Sequence, residues 1–300
     1  MEKTLYINVT DECNLRCPHC FKTERNKRVI SLSSVEDALA DNPDVKHVVL
    51  FGGEFLLRKN TEYVLKLIDY VKKFDVEISG TTNLCYETLD CNQRLILDKL
   101  DCVSTSWNPD RFETPKQLQF WVDNLERIPF EKLSILITLT NSLLSFEPKT
   151  ICDMFNGKAS VVKFEPYIGI GASKPKNKDV DLWLKDFYLV EKFGNTTFEP
   201  FCQIEEGFKH RYSTGTFCRN CHRTTLNLKV DGGVTCCPNC ENMPIEQFKR
   251  LVFNFNEACF PCEFFQFCKG NCPLLTFDET GCCGYPNLFK AIKERLTNGH

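Results

Sequence analysis

Cys13, Cys17 and Cys20 form a CxxxCxxC set on one short segment. Three thiolates on one loop can hold three irons of a [4Fe–4S] cluster and leave the fourth iron open. An open iron is a catalytic position, whereas a fully ligated cluster mainly carries electrons. The plainer alternative is a structural zinc site, but that wants four closed ligands. A second concentration runs from Cys218 to Cys283 and holds eleven of the chain's 19 cysteines. It contains Cys259-x2-Cys262-x5-Cys268-x3-Cys272, followed by Cys282-Cys283. Upstream, Cys218-x2-Cys221-x15-Cys237-x2-Cys240 by itself fits a zinc ribbon. The downstream run shifts the reading toward iron–sulfur. Between the two concentrations lie Cys85, Cys91, Cys102, Cys152 and Cys202, read as small, mostly buried apolar residues.

This distribution divides the chain into a body at residues 1–200 and a cysteine-rich module at 201–300. At 42% hydrophobic and 26% charged, the 300-residue chain has enough apolar residues to bury a core and is not disordered. A net charge of −3 gives no basic field for nucleic acid. No apolar run is long enough to span a membrane, and residues 1–10 lack the pattern of a signal peptide. A cytoplasmic location with reduced thiols is expected, so the cysteines are read as metal ligands, reactive groups or core residues and not as disulfides.

The body alternates strands and helices. Strands are expected at Leu5–Val9, His47–Phe51, Val76–Ser79, Cys102–Thr105, Leu133–Leu139 and Val161–Phe164. Helices are expected at Ser33–Ala40 (capped by Ser33), Thr61–Lys73, Thr88–Leu100, Pro115–Ile128, Pro148–Phe155 and Asp181–Phe193. Ser173–Val180 reads as a connector and Leu226–Val234 as a hairpin turning at Asp231-Gly232. About six βα units make an α/β fold with a partial (β/α)6, TIM-like barrel. The small cysteine-rich domain with its β-hairpin follows. In such folds the chemistry sits in the loops after the strands. The cysteine triplet lies in the first such loop, Gly52-Gly53-Glu54 in the second, Thr82-Asn83 in the third and Ser106 after the fourth.

That order of motifs resembles the radical S-adenosylmethionine (SAM) enzymes. The resemblance implies that Cys13, Cys17 and Cys20 hold a catalytic [4Fe–4S] cluster. It implies that Gly52, Gly53 and Glu54 meet the methionine end of SAM, with Phe55 where the family usually has proline. Asn83 and Ser106 are the other implied SAM contacts, and Leu84 stands where the family has glycine. His19 stands where the family has an aromatic residue near adenine. The implied reaction is reductive cleavage of SAM to methionine and a 5′-deoxyadenosyl radical, which takes a hydrogen atom from substrate. The catalytic groups acting on substrate are not identified.

The tail resembles the SPASM module of a subset of these enzymes, which carries two auxiliary [4Fe–4S] clusters. By position, Cys218, Cys221, Cys237 and Cys272 would hold the nearer cluster. Cys259, Cys262 and Cys268, with Cys282 or Cys283, would hold the farther one. Cys240 is an alternative ligand, and Cys236 is a candidate hydrogen-atom donor. The expected function is oxidative post-translational modification of a peptide or protein. Pro238 disfavours the sulfatase-maturase variant. A small-molecule dehydrogenase or epimerase, acting for instance on a sugar, is the alternative. A non-enzymatic iron–sulfur or zinc protein is the third reading. An electron donor such as flavodoxin or ferredoxin is the expected partner, with neither nucleic acid nor membrane.

Overall fold

The computed structural model describes residues 2–22, 25–168, 173–190, 194–210, 225–240, 257–268, 272 and 284–298. One sheet organises them, in the order β7-β6-β5-β4-β3-β2-β1-β8-β9. Its strands are β1 (Lys3–Thr10), β2 (Val45–Gly52), β3 (Glu77–Thr82), β4 (Cys102–Ser106), β5 (Leu133–Leu139), β6 (Val161–Pro166), β7 (Thr197–Glu199), β8 (Thr225–Leu228) and β9 (Val234–Thr235). All neighbours pair in parallel except the β8–β9 hairpin. This is the expected partial barrel with two additions. β7 adds a seventh parallel strand at one edge. At the other edge β8 pairs with β1 over Thr4–Ile7.

Helices α1 (Leu32–Ala40), α2 (Thr61–Val71), α3 (Cys91–Lys99), α4 (Pro115–Leu125), α6 (Pro148–Phe155) and α7 (Asn177–Tyr188) connect the strands, with a short α5 (Asn141–Leu144) before α6. The cap of α1 is Ser31, whose side chain accepts from the Ser34 amide. The expected Ser33 cap falls too late, because the helix already begins at Leu32. Helix α3 starts later than expected, at a reciprocal capping box between Asp90 and Gln93. Part of the expected connector is the first turn of α7.

Strand β3 does not stop at Gly80 but runs to Thr82. Gly80 serves packing: a side chain there would lie 2.7 Å from the Phe55 ring and 2.8 Å from Leu100. Phe55 is fully buried, so the residue that replaces proline in the second loop plugs the core against that glycine.

Two helices absent from the sequence reading complete the fold, α8 (Phe201–His210) and the helix Pro286–Asn298. Phenylalanines pack around them and under α7. Phe164 packs edge-on to Phe187, at 4.7 Å, and Phe208 lies 4.4 Å from Phe267 of the tail. Phe264 and Phe289 meet at 5.6 Å. No helix among the described residues is long and apolar enough to cross a membrane.

Candidate active site

The segment that follows β1 is closed at its base by charge. Lys22, nearly buried, donates to Asp11 at 2.6 Å, and Asn8 of β1 donates to the same carboxylate oxygen at 2.7 Å. Cys13, Cys17 and Cys20 lie within this closed loop, with Cys20 exposed and the other two half-buried. The Cys20 amide donates to the Cys17 carbonyl at 3.1 Å, a turn that sets those two residues close. Arg25 donates to the Leu15 carbonyl and braces the loop from its far side.

The second loop is built into the first. Gly52 ends β2 with φ +139, a conformation that side chains rarely tolerate. The Gly53 amide donates to Thr10 O at 2.6 Å and the Glu54 amide to Glu12 O at 2.8 Å. A side chain on Gly53 would collide with the Glu12 carbonyl. The two glycines are therefore required for the second loop to lie against the cysteine loop. Glu12 and Lys59 add an ion pair across the same seam.

Glu54 turns its side chain inward. Its carboxylate accepts from Leu56 N at 3.0 Å, Thr82 Oγ1 at 2.8 Å and Asn83 N at 2.6 Å. Burial pushes its pKa up, and the three donated hydrogen bonds oppose that rise. Asn83 accepts from Cys85 N at 2.8 Å and donates to Asn14 Oδ1 at 2.7 Å and to Cys13 Sγ at 3.7 Å. Leu84, at the position where the family has glycine, is fully buried yet holds a left-handed φ of +52. Asn124 of α4 fixes that turn by donating to the Leu84 and Tyr86 carbonyls at 3.1 and 2.7 Å.

Ser106 ends β4, half-buried. The loop beyond it carries two residues that the sequence reading passed over. Asp110 Oδ1 lies 3.4 Å from His19 Nδ1. Arg111 is 8% exposed, and its Nε has no hydrogen-bond partner among the described residues. Its charge pulls the pKa of Cys17 down, against the larger upward push of burial. The available signal was position: charged residues in the loop that follows a parallel strand face the reaction mouth.

The surroundings of Cys13 suit a cluster thiolate. Leu15 N donates to Cys13 Sγ at 3.4 Å, so with Asn83 this sulfur has two donors, the pattern that suits a thiolate. Burial pushes the Cys13 thiol up to about 11, with the Glu54 carboxylate adding to it, so cluster binding would have to displace its proton. Among the described residues no three His, Cys, Asp or Glu side chains converge as one metal ion requires. A cubane makes no such demand, because each thiolate binds its own iron.

In the tail, Cys237 and Cys272 are buried, and Cys259, Cys262 and Cys268 are half-buried. Cys237 directly follows the β8–β9 hairpin, two residues past β9. Cys262 and Cys268 pack against the core cluster. Cys218, Cys221, Cys282 and Cys283 lie outside the described residues, as does the side chain of Cys240. Of the intervening cysteines, Cys85 and Cys152 are buried, whereas Cys91 is exposed.

Comparison with known proteins agrees with this geometry. Residues 7–125 match the Radical SAM superfamily. GTP 3′,8-cyclase of Listeria monocytogenes serovar 1/2a is 24% identical over 261 residues, covering 77% of this chain and 78% of the cyclase. The fold matches native anSMEcpe with bound AdoMet and Cp18Cys peptide at a TM-score of 0.76 and 19% identity, over 99% of this chain and 98% of that one. It also matches Streptococcus suis SuiB bound to its precursor peptide SuiA at a TM-score of 0.62 and 15% identity, over 94% and 76% of the two chains.

Fold and sequence thus define the class: residues 7–125 carry a Radical SAM superfamily domain, and enzymes of that class use SAM and a [4Fe–4S] cluster. Within the class, the sequence relative is a nucleotide cyclase, while the fold relatives were solved with peptides.

Proposed function

We propose that this enzyme modifies a peptide or protein by abstracting a hydrogen atom from it. Cys13, Cys17 and Cys20 would hold the catalytic cluster, and the backbone of Gly52, Gly53 and Glu54 would meet the methionine end of SAM. Bound there, cluster and SAM supply reductive cleavage to methionine and a 5′-deoxyadenosyl radical. The chain's own groups do the rest. The glycine seam allows close backbone approach, and Ser106, at the end of β4, would meet a polar group of SAM. Arg111 offers a buried positive charge with an unspent donor, suited to an anionic group in the cleft.

The tail, residues 201–300, would be an auxiliary-cluster module with ligands Cys218, Cys221, Cys237 and Cys272 for one cluster. Cys259, Cys262, Cys268 and Cys282 would serve the other. Such clusters would accept the electron left on a substrate radical, which fits an oxidative outcome. A flavodoxin- or ferredoxin-like donor would supply the first electron.

The observation that carries the peptide reading is the match to the peptide-bound anSMEcpe fold, which extends through nearly the whole of both chains, tail included. The identity to GTP 3′,8-cyclases favours a second reading, a small-molecule and specifically nucleotide substrate. The test is anaerobic incubation of the reconstituted enzyme with SAM and dithionite. 5′-Deoxyadenosine is expected in every case. Mass loss of hydrogen from a peptide encoded beside this gene supports the proposal. Turnover of GTP to a cyclised nucleotide overturns it. Metal content tests the tail: about twelve irons per chain fit three cubanes, and one zinc with fewer irons does not.

A further inference from the structure

The family resemblance makes Asn83 a SAM contact; in the structure its side chain is held by protein groups. The amide is 3% exposed and fully engaged. Because the Cys85 amide donates to Oδ1 at 2.8 Å, the NH2 group must point the opposite way, toward Asn14 and Cys13. There it donates to Asn14 Oδ1 at 2.7 Å and to Cys13 Sγ at 3.7 Å. We propose that Asn83 is a redox-tuning residue for the cluster held by Cys13, and that Glu54 positions it through the Asn83 backbone amide, so that neither side chain recognises SAM.

Glu54 has about four acceptor sites on its carboxylate. Three are taken by Leu56 N, Thr82 Oγ1 and Asn83 N. The next residue, Leu84, holds a left-handed backbone conformation that is strained for a non-glycine residue. Such a turn persists when its surroundings over-determine it, and Glu54 from one side and Asn124 from the other do so. The product of this rigidity is one amide N–H aimed at one sulfur. A hydrogen bond to a cluster thiolate stabilises the more negative, reduced state and raises the reduction potential.

This rests on Cys13 being a cluster ligand, and the test separates the two ideas. In the holoenzyme, the open cluster is identified by the change in its electron paramagnetic resonance spectrum when SAM is added. A redox titration follows that SAM-responsive signal. Asn83→Ala and Asn83→Asp are expected to shift its midpoint to lower potential, with the larger shift for aspartate, while SAM affinity changes less than tenfold. Glu54→Gln, which keeps the shape, is expected to leave SAM affinity within tenfold of the parent, because the proposal gives its side chain no SAM contact.

An unchanged midpoint in an Asn83 variant with full iron content overturns the proposal. So does an affinity loss above tenfold without a midpoint shift, which would make Asn83 a SAM contact. If Asn83→Ala loses iron, Asn83→Asp decides by the same criterion. Retention of the SAM-responsive signal in Cys13→Ala would instead overturn the ligand assignment.

Discussion

Leu84 concentrates the conflict between backbone and packing. A left-handed conformation costs an ordinary residue about 1–2 kcal/mol, yet Leu84 is fully buried and fills the core. Truncating a buried leucine costs about 2–5 kcal/mol. Packing outweighs the backbone cost, so Leu84→Gly is expected to destabilise the protein by about 1–3 kcal/mol even though glycine suits the turn. An anaerobic thermal melt checks this, and a raised midpoint would show that strain dominates. The motif resemblance located this position, and its residue type announced a departure. Only the tertiary contacts from Asn124 and Glu54 explain why leucine is tolerated.

At the scale of elements, two capping arrangements separate what local sequence says from what distant sequence does. Ser31, Ser33 and Ser34 all offer a hydroxyl near the start of α1, and only Ser31 accepts from an N3 amide. Ser31→Ala is expected to cost about 1 kcal/mol, while Ser33→Ala should stay within about 0.5 kcal/mol. Equal losses in denaturation midpoint would contradict the assignment. The helix Pro286–Asn298 is capped from afar. Asp181 of α7 accepts from Asn287 N at 3.0 Å, Asn287 Nδ2 at 2.7 Å and Leu288 N at 2.9 Å. It also places a carboxylate at the positive end of that helix.

Asp181→Ala leaves those donors without it. The expected cost is about 2–3 kcal/mol, with faster proteolytic cleavage within residues 286–298. Arg295→Ala at the other end removes a cation–π contact with Tyr188, for which about 0.5–1 kcal/mol is expected. No window of local sequence contains the Asp181 cap, because its partners lie 106 and 107 residues away.

For the whole molecule, the two regions rest on different forces. The sheet from β1 to β6 is backed by aliphatic residues such as Leu5, Ile7, Leu50, Ile78 and Ile135, all fully buried. Residues 257–268 instead carry three cysteines and bury few side chains, with Phe264 buried and Phe260 65% exposed. Where cluster ligands stand in place of a core, metal binding is folding free energy. On the proposed assignment of Cys259, Cys262 and Cys268 as cluster ligands, oxidation and chelation are expected to abolish amide-exchange protection in residues 257–268 while β1–β6 keep theirs. Uniform loss across both regions would show that the barrel also depends on its cluster.

Alternation of apolar strands with helical periods determined the α/β architecture, because burial on both faces of a parallel sheet forces those patterns. Cysteine spacing and the glycine pair marked two loops that the fold brings together, because both follow neighbouring parallel strands. Other features needed the tertiary structure. The strand Thr197–Glu199 and the pairing of β8 with β1 depend on contacts across the chain that no local pattern encodes. The inward turn of Glu54, the aim of the Asn83 amide and the buried charge of Arg111 are likewise side-chain orientations. They follow from which hydrogen-bond partners the fold brings within reach, and residue type alone does not specify that.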